Sequence, residues 1–331
     1  MDDIVTLDYG SGGKKTAALI EKLLLPALGN ETLRDLGDGA IVPGGEQLVF
    51  STDSFVVSPC FFPGGDIGEL CVCGTVNDVS VSGGEAKYLS LSFIIEEGFP
   101  FRDLERVVES IRATAEKAGV SIVTGDTKVV EKGRGDGIYI NTAGIGVLKY
   151  PGLSPRNIRP GDAILLSGTA GDHGAAVMLS RSGLEGTLQS DCAPLNRLCA
   201  AVLESGAAVR CLRDPTRGGV ATTLNEFAEE ARCTMVLREA DVPVREDVRA
   251  ACDMLGLDPL YCANEGKLLC VVPQEDAGRA LEAMRSVPEG KNAAQIGTVS
   301  ADRGAGVLLE TAFGGTRILQ KLTGAQLPRI C

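Results

Sequence analysis

The sequence predicts a two-domain α/β protein, and three observations carry the prediction. The chain, at 331 residues, exceeds the roughly 250–300 residues that a single core commonly supports. A segment rich in Pro and Gly, YPGLSPRNIRPGD (Tyr150–Asp162), interrupts it near the middle. Proline has no N–H for a strand ladder and restricts the residue before it, so this segment reads as a linker. On either side, strand-like and helix-like hydrophobic periods alternate, as layered α/β domains require. The predicted division is 1–150, 151–322 and a tail, 323–331.

The first half opens on YGSGGKKTAAL (Tyr9–Leu19), a glycine-rich turn into a helix over Thr16–Leu25. The segment is not a P-loop. Counted from Gly10, the sixth place of G-x-x-x-x-G-K-[ST] holds Lys15 rather than glycine. It reads either as an anion-binding helix start or as a flexible turn. Strands are predicted at Leu48–Asp53, Ala86–Glu97, Ser121–Asp126 and Ile138–Lys149. Between them PFRDLERVVESIRATAEKAG is an amphipathic helix, with Leu104, Val107, Val108, Ile111, Ala115 and Ala118 on one face. Gly119 is placed to end it in the left-handed conformation. The second half offers strands at Asp162–Gly168 and Lys267–Val272, and helices near Gly174–Arg181, Pro194–Glu204 and after Arg217.

Composition excludes several functions. The formal net charge is -12 and no Lys/Arg-rich block is present, which argues against nucleic-acid binding. Divalent cations nevertheless allow an acidic protein to hold a polyphosphate. No stretch approaches the roughly 18 apolar residues of a membrane span, and MDDIVTLDYGSGG lacks the features of a signal peptide. Eleven cysteines without an export signal predict reduced thiols and a cytoplasmic protein. Cys71 and Cys73 form C-x-C, and Cys192 and Cys199 lie seven apart; neither is a zinc spacing, and His173 is the sole histidine. The thiols are therefore predicted to be buried or incidental.

Five aspartates are more informative: Asp38 in LGDGA, Asp53 in STDS, Asp78 in TVNDVS, Asp126 in TGDTK and Asp214 in DPTRGG. Each alone is an ordinary turn or cap residue. Together, at strand ends and turns, they predict one cleft of hard oxygen ligands suited to magnesium and a nucleotide. Asp78 falls in an apolar helical stretch, where an unpaired carboxylate is costly.

In this order GSGGK (Gly10–Lys14), the LGDGA, STDS and VNDVS segments, TGDTKVV, DPTRGG and NEGK (Asn264–Lys267) resemble the aminoimidazole ribonucleotide synthetase superfamily. That superfamily includes selenophosphate synthetase and thiamine-monophosphate kinase. The terminal PRIC and GDHGAAVM (Gly171–Met178) narrow the resemblance to its carbamoyl dehydratase family of hydrogenase maturation factors. The resemblance implies two α/β domains per chain, N-terminal domains pairing in a homodimer through a shared β-barrel, and ATP near that interface. It implies that a carbamoyltransferase, HypF, loads the thiol of Cys331, and that ATP-dependent dehydration converts the S-carboxamide to S-thiocyanate. The cyano group then passes to iron on the HypC–HypD complex for a [NiFe]-hydrogenase centre. Asp38, Asp53, Asp78, Asp126 and Asp214 would hold Mg2+. Gly12, Gly13 and Lys14 would close over the phosphates, with Thr127 as a further nucleotide contact; Arg217, beside two glycines, reads either as a phosphate contact or as a structural ion pair.

Dehydration also requires a base for the amide protons. Lys128 and Glu265 are the candidates, either as a catalytic pair or as an ordinary salt bridge. His173 reads as a helix-capping or tail-docking residue as readily as a base. Residues 323–331, with Gly324 and Pro328 and no periodicity, read as a mobile arm that reaches roughly 30 Å when extended. A small-molecule synthetase or kinase of the same superfamily is one alternative. The other is a thiol carrier using Cys331 with Cys71 and Cys73.

Overall fold

The computed structural model describes residues 3–10, 14–35, 40, 42–184, 186–302, 304 and 306–322. Gly12, Gly13, Asp38 and Cys331 lie outside the described residues, as does the 323–331 tail, and so does the side chain of Lys14.

Chain entry is helical: α1 (Lys14–Leu19), a π turn (Ile20–Leu24) and α2 (Leu25–Leu28). The predicted single helix over Thr16–Leu25 is broken because Pro26 cannot donate back into the ladder, which widens before it. The first sheet follows, with β1 (Leu48–Phe55), β4 (Gly84–Glu96), β5 (Ser121–Val130) and β6 (Ile138–Leu148) in the order β1-β6-β4-β5. Only the β4–β5 pair is parallel. Strand β5 runs past Asp126 to Val130, because its ladder with β4 continues to Glu96 and overrides the Gly-Asp turn signal. A small ribbon, β2 (Phe61–Phe62) and β3 (Gly65–Asp66), leads into α3 (Ile67–Val81).

Helix α3 starts where the Asp66 carboxylate caps the backbone N–H groups of Gly68 (2.7 Å) and Glu69 (3.1 Å). It is apolar nearly all round and buried along its length, because the sheet and α4 (Phe101–Ala118) cover it on one side and the second half on the other. Helix α4 has the predicted face, with Leu104, Val107, Val108 and Ile111 buried, and ends at Gly119 with φ +70°. The sheet's other face carries exposed Leu48, Phe50 and Ile94, with Phe50 67% exposed. Phe50 pairs across the ladder with Ile145, and Leu48 with Val147.

The second half is a seven-stranded sheet covered by helices on both faces. Its strands are β7 (Ala163–Leu166), β8 (Cys211–Arg213), β9 (Thr234–Arg238), β10 (Leu269–Val272), β11 (Ala294–Val299), β12 (Gly306–Glu310) and β13 (Thr316–Leu319). The order is β13-β12-β9-β11-β7-β10-β8, mostly antiparallel, with β12 and β9 parallel. Strands β7 and β10 are buried at every position, which explains their unbroken apolar runs. One face packs under α7 (Gly219–Ala231); the other packs under α6 (Asn196–Glu204) and α9 (Ala277–Arg285). Helices α5 (Asp172–Arg181) and α8 (Glu246–Leu255) pack together beside the sheet. Among the described residues no helix is long and apolar enough to cross a membrane.

Candidate active site

Two elements of the first half and two loops of the second meet at one acidic cavity of ≈ 60 Å³. Asp53 comes from β1, Asp78 from α3, Asp214, Thr216 and Arg217 from the DPTRGG loop, and Glu265 from NEGK. Strand β1 packs directly on α3, so the alternation that buries Phe55 turns Ser51 and Asp53 toward the helix. Ser51 Oγ donates to Asp78 Oδ2 at 2.8 Å, giving that carboxylate one fixed partner. Gly74 makes the close approach possible: a Cβ there would stand 2.8 Å from the Phe55 ring and 3.7 Å from Asp53 Oδ2.

The NEGK loop is held just as tightly. Asn264 is fully buried; its Oδ1 accepts from Gly171 N at 2.7 Å and its Nδ2 donates to the Pro215 carbonyl at 3.2 Å. Asp191 accepts from Glu265 N at 3.1 Å and pairs with Lys267 Nζ at 2.9 Å. A Cβ at Gly266 would fall on the Asp191 carbonyl, so only glycine lets these two backbones touch. Across the junction Asn77 Nδ2 donates to the carbonyls of Ala193 (3.2 Å) and Glu265 (3.4 Å). Asn77 and Asn264 stand inside motifs visible in the sequence, but nothing in the sequence marks Asp191 as the partner of Glu265 and Lys267.

The crowding of carboxylates sets the chemistry. Burial, and then Asp78, push the Asp214 carboxyl up to about 7. Burial and four neighbouring aspartates, Asp214 foremost, hold Glu265 well above the usual carboxylate range. Asp78 is raised by burial despite the Ser51 hydrogen bond. The nearby cations are Arg213, which is engaged with Glu226 at 3.2 Å, and Arg217, which has no ion pair among the described residues. An all-oxygen donor set with excess negative charge fits hard divalent cations and their phosphate ligands.

Of the five aspartates expected to share one cleft, Asp126 stands apart from the others described within one chain. It lies on β5, across β6 and β4 from β1, so roughly 14 Å of sheet separates it from Asp53. Asp126, Thr127 and Lys128 line a different pocket, of ≈ 210 Å³, beside Ile20, Leu24 and Leu25. Lys128 Nζ is 3.8 Å from Asp126 Oδ2, and both side chains are largely exposed. Lys128 and Glu265 form no pair within one chain. His173 lies in α5, fully buried, with Nδ1 2.9 Å from Ser190 Oγ, and burial pulls its pKa down to about 4. It does not line the acidic cavity.

Family models for the AIR synthase related proteins match both halves, the N-terminal domain at residues 36–148 and the C-terminal domain at 159–310. The chain is 54% identical to carbamoyl dehydratase HypE of Azotobacter vinelandii, over 99% of this chain and 97% of that one. It superposes on hydrogenase maturation protein HypE in complex with ATP with a TM-score of 0.94, at 51% identity, covering 98% and 99% of the two chains. A chain of the HypE–HypF complex matches with a TM-score of 0.80 at 48% identity, covering 92% and 99%. On this full-length likeness the chain belongs to the carbamoyl dehydratase HypE family, within the AIR synthase related proteins.

Proposed function

We propose that this protein dehydrates an S-carboxamide carried on Cys331 to an S-thiocyanate at the expense of ATP, supplying cyanide for a [NiFe]-hydrogenase centre. The observation that carries the reading is the meeting of Asp53, Asp78, Asp214 and Glu265 at one cavity in a chain of this family. The relative bound to ATP and the relative in complex with HypF support nucleotide use and loading by HypF. HypC–HypD is the acceptor in this reading, and the cytoplasm is where the steps occur.

The reaction sets three demands. The carboxamide oxygen must leave with its C–O bond broken, two N–H protons must be lost and the C≡N bond must form. ATP would supply the phosphoryl group that turns that oxygen into a leaving group, and Asp53, Asp78 and Asp214, with Asp38, would hold Mg2+ to neutralise the phosphate charge. Glu265 takes protons from the amide nitrogen. Its raised affinity for protons suits that role, and a divalent cation held by Asp78 and Asp214 would favour its ionised form. Arg217, uncommitted and at the cavity's edge, faces the phosphates. Gly12, Gly13 and Lys14 close over them from the N-terminal loop.

The exposed apolar face of the first sheet, with Leu48, Phe50 and Ile94, supports a homodimer built on that face. Asp126, Thr127 and Lys128 then serve the site of the second copy, because within their own chain they stand apart from Glu265. Incubation with HypF, carbamoyl phosphate and MgATP, followed by mass spectrometry of the intact chain, tests the reaction. A carbamoyl adduct on Cys331 followed by loss of one water is the expected result. An adduct that never loses water would exclude a dehydratase.

A further inference from the structure

Helix α3 presents a second set of ligand-type side chains, one residue back from Leu70 and Gly74 in the acidic cavity. Glu69 and Cys73 stand one turn apart on the helix, and Cys192 meets them from the other half. A carboxylate oxygen of Glu69 and the two sulfur atoms all lie within 4.8 Å of one another. Cys73 is fully buried, Cys192 nearly so and Glu69 half-buried. Among the described residues the Glu69 side chain has neither a hydrogen bond nor an ion pair, and burial, then Asp66, push its carboxyl up to about 7. Contact with Cys73, and then burial, keep the Cys192 thiol well above its usual range. The charged groups facing the cluster are Asp66, Glu265 and Lys117, so the surrounding field is negative overall.

We propose that Glu69, Cys73 and Cys192 form a binding site for a thiophilic divalent cation of the zinc class. Two thiolates and one carboxylate favour such an ion over magnesium or calcium, and three protein ligands leave a fourth position for water. Zinc–ligand bonds of about 2.0–2.3 Å place tetrahedral donors about 3.4–3.8 Å apart, which side-chain rotation reaches from the observed spacing. Binding exchanges the protons on the two thiols, and any proton on Glu69, for the cation, with no change of oxidation state. The site spans the junction. Cys73 belongs to the helix that carries Asp78, and Cys192 lies between Asp191 and Ala193, the two residues that hold the Glu265 backbone. Bound metal therefore clamps the loop of Glu265 onto α3 from behind the acidic cavity.

The test uses the full chain, stripped with chelator, kept reduced and titrated with Co2+ as a spectroscopic probe. The expected result is one equivalent bound with a sulfur-to-cobalt charge-transfer band and tetrahedral visible bands, displaced by Zn2+ and untouched by excess Mg2+. Cys73→Ser and Cys192→Ser should each lower cobalt affinity by ~10-fold or more and diminish the band. Cys331→Ala and Cys252→Ser should leave it intact. Absence of a thiolate band in the unmodified chain overturns the site, as does a band that survives both serine variants or vanishes in Cys331→Ala. Glu69→Gln preserves side-chain volume and tests the third ligand without disturbing the thiols. Unchanged cobalt affinity there overturns the three-ligand assignment.

Discussion

The side-chain oxygen of Asn77 accepts a hydrogen bond from the backbone N–H of Leu195 at 2.7 Å. The same amide donates to the carbonyls of Ala193 and Glu265, so one residue of α3 fixes the second half beside Asp78, its neighbour in sequence. Asn77→Ala strands these buried backbone groups and should lower stability by about 1–3 kcal/mol. Chemical denaturation measures the loss. Dehydration of the loaded tail should suffer more than its carbamoylation by HypF, because only the former needs Glu265 in register with the aspartates.

Glu265→Gln keeps the size of the side chain and removes the proposed base. Loss of water from the carbamoylated chain should slow by about 10²–10⁴-fold, with carbamoylation by HypF unchanged. Quenched mass spectra over time give both rates. A Gln variant that dehydrates at the original rate would place the base elsewhere.

The acidic cavity should make metal-free protein lose stability as pH rises. Asp214 ionises near 3.8 when solvated and at about 7 in the folded chain. Between those values the folded state holds a proton that the unfolded state has released, so stability falls across the window and the loss is complete above the upper value. Glu265 shifts in the same direction. Thermal melts of chelator-treated protein should therefore fall between about pH 4 and pH 7. Asp214→Asn should flatten the curve, and added Mg2+ should stabilise more at the upper end than at the lower.

Mixed dimers test whether Lys128 acts across the subunit boundary. If the proposed homodimer forms, the Lys128→Ala and Glu265→Gln proteins should each be impaired on their own. Mixing and exchanging subunits should restore dehydration, because a site with Glu265 of one chain and Lys128 of the other is intact. If exchange is verified and no activity returns, Lys128 does not complete the partner's site.

Much of the fold was legible because it is written in local periodicity. The stripe from Leu104 to Ala118, the Gly119 terminator and the apolar runs of β7 and β10 follow from chain geometry alone. The interruption at Pro26 and the passage of β5 beyond Asp126 were set by ladder partners or by a missing donor, and strand or helix periodicity carries neither signal. The two motif asparagines illustrate the same limit. Asn77 and Asn264 are plain in the sequence, yet Asn77 binds Leu195, 118 positions away, and Asn264 ties Gly171, 93 positions away, to Pro215, 49 positions away.

By itself the sequence determined the α/β class, the acidic motif order and the terminal cysteine, since composition, spacing and side-chain chemistry are properties of the chain. Only the tertiary structure decided which groups meet. It placed Asp126 and Lys128 three strands from Asp53, joined Glu265 to Asp78 and Asp214, and set Cys73 against Cys192. The physical reason is that pairwise electrostatics and ligand geometry act over a few ångströms of space, and sheet order and helix packing, not sequence separation, set those distances.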